Sequence, residues 1–161
     1  MKNNRVLLGM SGGTDSSACA VILKEQGFDV TGVTFIFSNL EKSNNLQIKD
    51  AKELAHYLGL KHHVIHLRKE FNTKIIQRFI SEYSEGKTPF PCAFCNPQLK
   101  FAQLFRLAEK WDCDFISTGH YVRIVQHNGT KYIAKGKDTE KDQSFFLWGL
   151  SKQVIHKLVF P

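Results

Sequence analysis

Two short clusters in this chain have residue types and spacing that could do chemistry. The first is Ser11-Gly-Gly-Thr-Asp-Ser-Ser17, which follows the apolar run Arg5 to Met10 and precedes an amphipathic helix beginning near Ser16. Gly12 and Gly13 let the backbone turn with positive φ, and their bare N–H groups converge with a helix N-terminus whose partial positive charge attracts anions. Ser11, Ser16 and Ser17 add hydroxyl donors, so the junction reads as a phosphate cradle. The second is Cys92-Ala-Phe-Cys95, flanked by Pro91 and by Asn96-Pro97, where a helix is expected to begin. Thiols beside a helix N-terminus are expected to have a lowered pKa at one sulfur. Such a pair could be a persulfide carrier and its neighbour, two ligands of a metal or iron–sulfur cluster, a redox dithiol, or two incidental buried cysteines. A structural zinc site would need two more ligands, and there is no second C-x-x-C or C-x-x-H pair.

Two other glycine loops are excluded by residue type. The Walker pattern needs a Lys-Ser/Thr pair for the β- and γ-phosphates, and this stretch has no lysine. The dinucleotide fingerprint needs G-x-G-x-x-G, whereas these glycines are adjacent. A cradle without a γ-phosphate clamp suits chemistry at the α-phosphate, with pyrophosphate leaving. The segment resembles the PP-loop, S-G-G-x-D-S, of ATP pyrophosphatases that adenylate a carbonyl or amide oxygen.

The elements that must position these clusters read as repeated βα units. A chain of 161 residues is enough for one α/β domain with a real core. After the first helix, ending near Gln26-Gly27, Asp29 to Phe37 reads as a buried strand. Ser38 to Asn45 reads as a polar connection, Gln47 to Leu58 as a helix stopped by Gly59, and His62 to Leu67 as the third strand. A helix is expected over Glu70 to Glu82, broken by Glu85 to Pro91, and another from Pro97 to Trp111. Phe115 to His120 reads as a strand ending in a turn. Tyr121 to Val125 and Lys131 to Ala134 read as a hairpin, because Asn128-Gly129 fits a type I′ turn. The stretch from Gly136 holds Lys141 to Leu147 and a helix start at Ser151. Repeated units of this kind predict a mostly parallel sheet with right-handed crossovers.

Composition bounds the partners. The formal net charge of +7 and pI near 9.3 suit a polyanion such as RNA. Solubility alone is the other reading, since the lysines and arginines are scattered through Lys61 to Lys110 and Lys131 to Lys141. No apolar run approaches the ~20 residues of a membrane span, and the N-terminus reads as no signal peptide, so a cytoplasmic location without a membrane partner is expected. Four cysteines (Cys19, Cys92, Cys95 and Cys113) in such a chain argue against a disulfide framework.

Taken together, Gly9 to Ser16, Thr88 to Asn96, Lys100-Phe101, Ser117 to Tyr121 and Lys141 to Leu147 closely resemble the tRNA-specific 2-thiouridylases, in the family's order and spacing over essentially the whole chain. The resemblance implies a doubly wound, Rossmann-like α/β domain of the adenine nucleotide α-hydrolase (HUP) type. It implies a five-stranded parallel sheet ordered 3-2-1-4-5 with a small β-hairpin extension. Residues 1–161 would be the PP-loop ATP-binding domain of a longer protein, its central and C-terminal domains lying outside this sequence. The implied chemistry uses ATP and Mg2+ to adenylate the 2-carbonyl oxygen of the wobble uridine, after which a cysteine persulfide displaces AMP. The implied partners are tRNA and a persulfide-carrying sulfur donor.

Position by position, the resemblance implies that Gly9, Met10, Ser11, Gly12, Gly13, Thr14, Asp15 and Ser16 hold the phosphates, with Asp15 also catalytic. Phe35 would frame the adenine where the strand order reverses, and Gly119 would be a second nucleotide contact. Phe90, Pro91, Cys92, His120, Lys141, Asp142 and Gln143 would meet tRNA, a glutamine amide pairing with a uracil edge taken out of its stack. A core aromatic at Phe35, a turn histidine at His120 and a helix cap at Asp142 and Gln143 are the plain structural alternatives. Cys95 matches the nucleophile. Cys92 stands where a common family pattern, D-x-x-C, has an acid or base, which leaves proton transfer open and keeps a cluster held by Cys92 and Cys95 in play. Cys19 and Cys113 are the remaining candidates for its third ligand, both reading as packing residues. A second sulfur-carrying cysteine lies beyond the matched region. The other readings are a different PP-loop sulfurtransferase with a C-x-x-C-bound cluster, and an ATP-binding module without chemistry. His56, His62, His63 and His66 are assigned no site.

Overall fold

The computed structural model describes residues 4–38 and 41–161. Strand β1, Arg5–Gly9, buries Val6, Leu7 and Leu8 completely. Alternation sends Leu7 to one face of the sheet and Val6 and Leu8 to the other. Helix α1, Thr14–Glu25, packs Cys19, Ala20 and Leu23 on the Val6 face. Strand β2, Asp29–Ile36, follows, and helix α2, Glu41–Tyr57, adds Ala51 and Ala55 to that same core. The polar connection expected up to Asn45 is therefore helical from Glu41, while its residues 39 and 40 lie outside the described residues. Asn44 explains part of the extension, because its amide donates to the Ser38 carbonyl at 2.9 Å and accepts from the Ser38 hydroxyl at 3.2 Å.

After β3, Lys61–His66, the chain runs as α3, Arg68–Phe71, a π turn over Asn72–Ile76, and α4, Gln77–Ser84. The next helix begins at Pro91 instead of Pro97. It comprises α5, Pro91–Cys95, a π turn over Asn96–Lys100, and α6, Phe101–Lys110. Pro91 occupies a first-turn position, where the missing N–H costs nothing. Pro97 lies inside the run and cannot donate, and the backbone answers with a wide turn in which the Phe101 N–H reaches the Asn96 carbonyl. Phe101, Leu104, Leu107 and Ala108 cover the Leu7 face of the sheet.

Strand β4, Phe115–Thr118, completes a parallel sheet ordered β3-β2-β1-β4. It has four strands, not the five expected. Strands β5, Val122–His127, and β6, Thr130–Lys135, pair with each other as a separate antiparallel hairpin. Asn128 and Gly129 both have positive φ, 47° and 77°, as a type I′ turn requires. The position beside β4 is held by a single bridge, Ile116 to Leu158, extended by Val159 N–H donating to the Ile116 carbonyl at 3.0 Å. Proline at 161 has no N–H with which to prolong that ladder. A 3-10 turn, Ser144–Leu147, and helix α7, Lys152–Lys157, close this flank, with the Ser151 hydroxyl capping α7. Among the described residues no helix is long and apolar enough to cross a membrane.

Candidate active site

The parallel sheet ends with all four carboxyl edges on one side, and the chain leaves β1 there through the Ser11 to Ser17 loop. Met10 anchors the exit: its N–H donates to the Val33 carbonyl at 2.8 Å and its carbonyl accepts from Thr34 Oγ1 at 2.9 Å. Gly12 has φ +77°, and a Cβ there would sit 2.7 Å from the Gln47 carbonyl oxygen. Gly13 departs from expectation, with an extended φ of −88°. The serine hydroxyls also depart: Ser16 and Ser17 donate to the Gly13 carbonyl at 3.0 and 2.9 Å, and Ser16 Oγ accepts the Ser11 N–H. Their protons are used inside the loop. The first helical bond is Ser17 N–H to Gly13, so the N–H groups of Thr14, Asp15 and Ser16 carry the donor capacity of this helix end.

Gly119, just past β4, sits against that helix end. A Cβ there would lie 2.8 Å from Ser16 N and 2.9 Å from the Asp15 carbonyl carbon. Loop, helix start and the β4 exit therefore enclose one cavity of about 400 Å³, lined among others by Gly9, Met10, Ser11, Asp15, Ser16, Phe35, Gly119, His120 and Gln143. Thr34, Phe37, Gln47 and Lys100 line it as well. A second cavity of about 440 Å³ shares Asp15, Thr118, Gly119 and His120 and runs out along Tyr121 and Arg123.

The electrostatics of the wall are set by a few groups. His120 Nδ1 bonds Thr118 Oγ1 at 2.7 Å and its ring packs on Phe101 at 5.6 Å. Burial, reinforced by the Lys100 charge, lowers its pKa to about 4, so the imidazole is neutral at physiological pH. Asp15 Oδ1 accepts from the Tyr121 hydroxyl at 2.7 Å, which together with the carboxylate's charge holds the phenol pKa above its ordinary value. Gln143 accepts the Tyr121 N–H through Oε1 at 3.2 Å. Asp142 is a fastening: it accepts the Gly136 N–H and the Ser144 hydroxyl, each at 2.7 Å, and these bonds lower its pKa. Lys141 is exposed, with Nζ 5.6 Å from the centre of the Tyr121 ring.

The cysteine pair is divided. Cys92 is exposed near the start of α5, whereas Cys95 is only 7% exposed among Leu67, Ile75 and Leu99. Burial raises the Cys95 pKa, with Lys100 pulling it down and Cys92 pushing it up less strongly, so Cys95 is not the sulfur of the pair with a lowered value. Arg78 pins the segment from α4, its guanidinium 3.4 Å from the Phe94 ring centre and its Nε 2.7 Å from Glu82. Neither cysteine lines the 400 Å³ cavity. Ahead of Pro91, Phe90 stacks with Phe145 and Phe146 at 5.2 and 5.6 Å, beside Phe145 and Trp148 that are 65% and 68% exposed. Asn96 joins the two segments, its amide donating to the Phe146 carbonyl at 3.1 Å. Cys19 is buried 3.4 Å from Ser117 Oγ, and Cys113 is buried ahead of β4.

The family model described as the tRNA methyl transferase HUP domain matches residues 4–161. The chain belongs to this family. It is 48% identical over 160 residues to a protein of Bacteroides fragilis named tRNA-specific 2-thiouridylase MnmA 1, covering 99% of this chain and 44% of that protein. It is 44% identical over 170 residues to the tRNA-specific 2-thiouridylase MnmA of Cytophaga hutchinsonii, covering 99% of this chain and 46% of that one. The chain thus spans less than half the length of these curated relatives. Among solved structures, a predicted subunit of tRNA methyltransferase from Methanocaldococcus jannaschii superposes with TM-score 0.55 at 24% identity, over 98% of this chain and 67% of that one. A glutamine-dependent NAD+ synthetase from Acinetobacter baumannii superposes with TM-score 0.55 at 19% identity, over 71% of this chain and 21% of that one. Both share the fold.

In this HUP domain the sequence motifs from β1, β2, β4 and the Gln143 segment meet at one cavity, while of the cysteine pair Cys95 is buried and Cys92 exposed, neither lining it. The domain also supplies wall residues that motif spacing did not single out. Thr34 and Phe37 belong to the same strand exit as Phe35, and Gln47 belongs to the helical segment read from periodicity. Their roles follow from tertiary proximity. The histidines form no common site: His62 Nε2 bonds Thr34 Oγ1 at 2.9 Å, while His63 lies on the Trp111 ring at 4.5 Å.

Proposed function

We propose that this HUP domain is the nucleotide-activating part of a longer tRNA 2-thiouridylase, with residues 1–161 forming its PP-loop domain. The observation that carries this reading is the convergence on one cavity of Gly9, Met10, Ser11, Asp15, Ser16, Phe35, Gly119 and Gln143, in a chain whose relatives bear that name; Gly12, Gly13 and Thr14 belong to the same loop without lining the cavity. ATP fits the cavity's donor set. The free N–H groups at the start of α1 suit an anion, Gly12 and Gly119 have no room for a side chain, and Phe35 offers an apolar wall for a purine. Asp15 keeps Oδ2 without a hydrogen-bond partner among the described residues and is suited to hold the Mg2+ that accompanies ATP, which would neutralise phosphate charge.

On this reading α1 orients the α-phosphorus toward the uridine 2-oxygen. That oxygen attacks phosphorus and pyrophosphate leaves; the outer sulfur of a cysteine persulfide then bonds to C2 and the C2–O bond breaks to release AMP, after which a thiolate attacks the inner sulfur, the S–S bond breaks and the two cysteines are left as a disulfide. The neutral His120 and the Gln143 amide present hydrogen-bonding groups to a flipped base. Sulfur attack by Cys95 requires the α5 turn to open, because the thiol is buried in this conformation. That turn has only five residues, between the Thr88-Pro89-Phe90 segment and the π turn at Asn96, so it can move without unwinding α6. A persulfide-carrying donor protein and a cytoplasmic setting belong to the same proposal. A cluster held by this chain alone fits poorly, since among the described residues no three His, Cys, Asp or Glu side chains gather into a metal site.

The test is Cys95→Ser in the full-length protein, with 2-thiouridine measured by mercury-gel retardation of a tRNA transcript and ATP binding measured by calorimetry. Loss of thiolation with unchanged ATP affinity is expected. Thiolation at the wild-type rate refutes the role of Cys95. No thiolation by the wild-type protein supplied with ATP and persulfide refutes the function.

A further inference from the structure

The loop that receives the phosphates contains no lysine, yet a nucleoside triphosphate brings several negative charges into the cavity. A helix end supplies only about half a positive charge, and Asp15 on the same wall repels the anion. His120, neutral at physiological pH, does not compensate. Among the described residues that line the cavity, the one full cation is Lys100.

Its position is unusual for a surface lysine. Lys100 ends the π turn that begins at Asn96, on the helix that carries the cysteine pair, and it is half-buried. In a π turn the hydrogen bonds run five residues back, so residues five apart fall about one turn from each other along the helix. Lys100 is five residues beyond Cys95. Lys100 lines the cavity together with Gly119 and His120 of the β4 exit, and its charge lowers the pKa of both Cys95 and His120. No ion pair or hydrogen bond engages Lys100 among the described residues. A half-buried ammonium left unpaired is unfavourable unless an anion joins it, and a lysine is well suited to phosphate as a point charge.

We propose that Lys100 supplies, from the thiol-bearing helix, the phosphate-binding cation that the glycine loop lacks. The inference rests on the nucleotide reading above. The loop then grips the nucleotide from the α1 side and Lys100 from the α6 side, so that one charge serves both the phosphoryl group and the neighbouring sulfur. The wide turn that Pro97 forces leaves Lys100 among the cavity-lining residues, in a helix whose apolar residues Leu99, Phe101 and Leu104 are buried.

The experiment measures binding of ATP with Mg2+, AMP without Mg2+, and adenosine to this chain and to its Lys100→Met and Lys100→Arg variants by titration calorimetry. Thermal unfolding checks that each variant folds. Lys100→Met keeps the apolar stem and removes the charge. We expect it to weaken ATP and AMP by roughly 10- to 100-fold while adenosine stays within about twofold, and Lys100→Arg to restore most of the loss. Equal weakening of adenosine and AMP in Lys100→Met shows a packing role and overturns the inference, as does unchanged AMP affinity. A Lys100→Met chain that fails to fold leaves the decision to Lys100→Arg and Lys100→Gln: if both bind AMP alike, the charge is irrelevant and the inference fails. If the wild-type chain binds neither adenosine nor ATP, the nucleotide reading falls first and takes this inference with it.

Discussion

His120 should make the folded domain measurably less stable in mild acid. In the unfolded chain the imidazole takes a proton near its ordinary pKa of 6.5, whereas in the fold burial and the Lys100 charge delay protonation to about 4. Between those values the unfolded state binds more protons, so stability is full above about 6.5 and is lost as pH falls toward 4. From those two constants, lowering pH from about 7 to about 4.5 costs about 2 kcal/mol from this group alone. The comparison is with His120→Asn, which keeps a short polar side chain for the Thr118 hydroxyl but does not titrate. Asp142 and Glu85, whose carboxyl pKa values are also held low, lose stabilising charge on the acid side in both proteins and cancel. Urea unfolding of the pair at the two pH values should show a wild-type loss larger than the variant's by about 2 kcal/mol. The His120 ring proton should meanwhile titrate near 4 by NMR. Equal pH dependence in the two proteins, or a ring proton that titrates near 6.5, would refute the account of a desolvated neutral imidazole on the cavity wall.

Two further outcomes follow from the geometry. Gly12→Ala and Gly119→Ala should each destabilise the domain by roughly 1–3 kcal/mol and abolish measurable nucleotide binding, because the added methyl meets backbone; Gly13→Ala, whose Cβ would meet only the Ser11 hydroxyl at 3.4 Å, should fold and bind near the wild-type level, with chemical denaturation and calorimetry as the measurements. Iodoacetamide at neutral pH followed by peptide mapping should modify Cys92 at least roughly tenfold faster than Cys95, and equal rates would show that α5 opens freely in the ligand-free domain.

What the sequence made legible was what local chemistry decides. The β1 to α1 loop, the Asn128-Gly129 turn and the apolar runs of β2 and β4 are specified by adjacent residues, and each lies where expected. The errors came from long-range contacts. The resemblance gave Cys95 the nucleophile's place, but its burial depends on Ile75, Leu67 and the Arg78 clasp on Phe94, which no spacing rule reveals. Pro97 looked like a helix start because a proline inside a helix is normally disruptive, and the π turn that accommodates it is a tertiary accommodation. The fifth strand was what the resemblance implied, but after Gly119 the chain folds into a hairpin that pairs with itself, and among the described residues Leu158 makes the bridge on the outer side of β4. Asp142, a candidate for substrate contact, accepts hydrogen bonds from Gly136 and Ser144 within its own loop, the cap-like arrangement that was the plain structural alternative.

The approach of Gly119 to the first turn of α1 has a consequence for how this protein acquires its function during folding. The glycine loop is encoded within a dozen residues, but the surface it presents is finished by a segment more than a hundred positions downstream. A synthetic peptide spanning β1 and α1 would therefore reproduce the motif and not the receptor. On the ribosome, competence must await emergence and docking of the last parallel strand, so a nascent chain cannot commit a nucleotide before its scaffold is nearly complete.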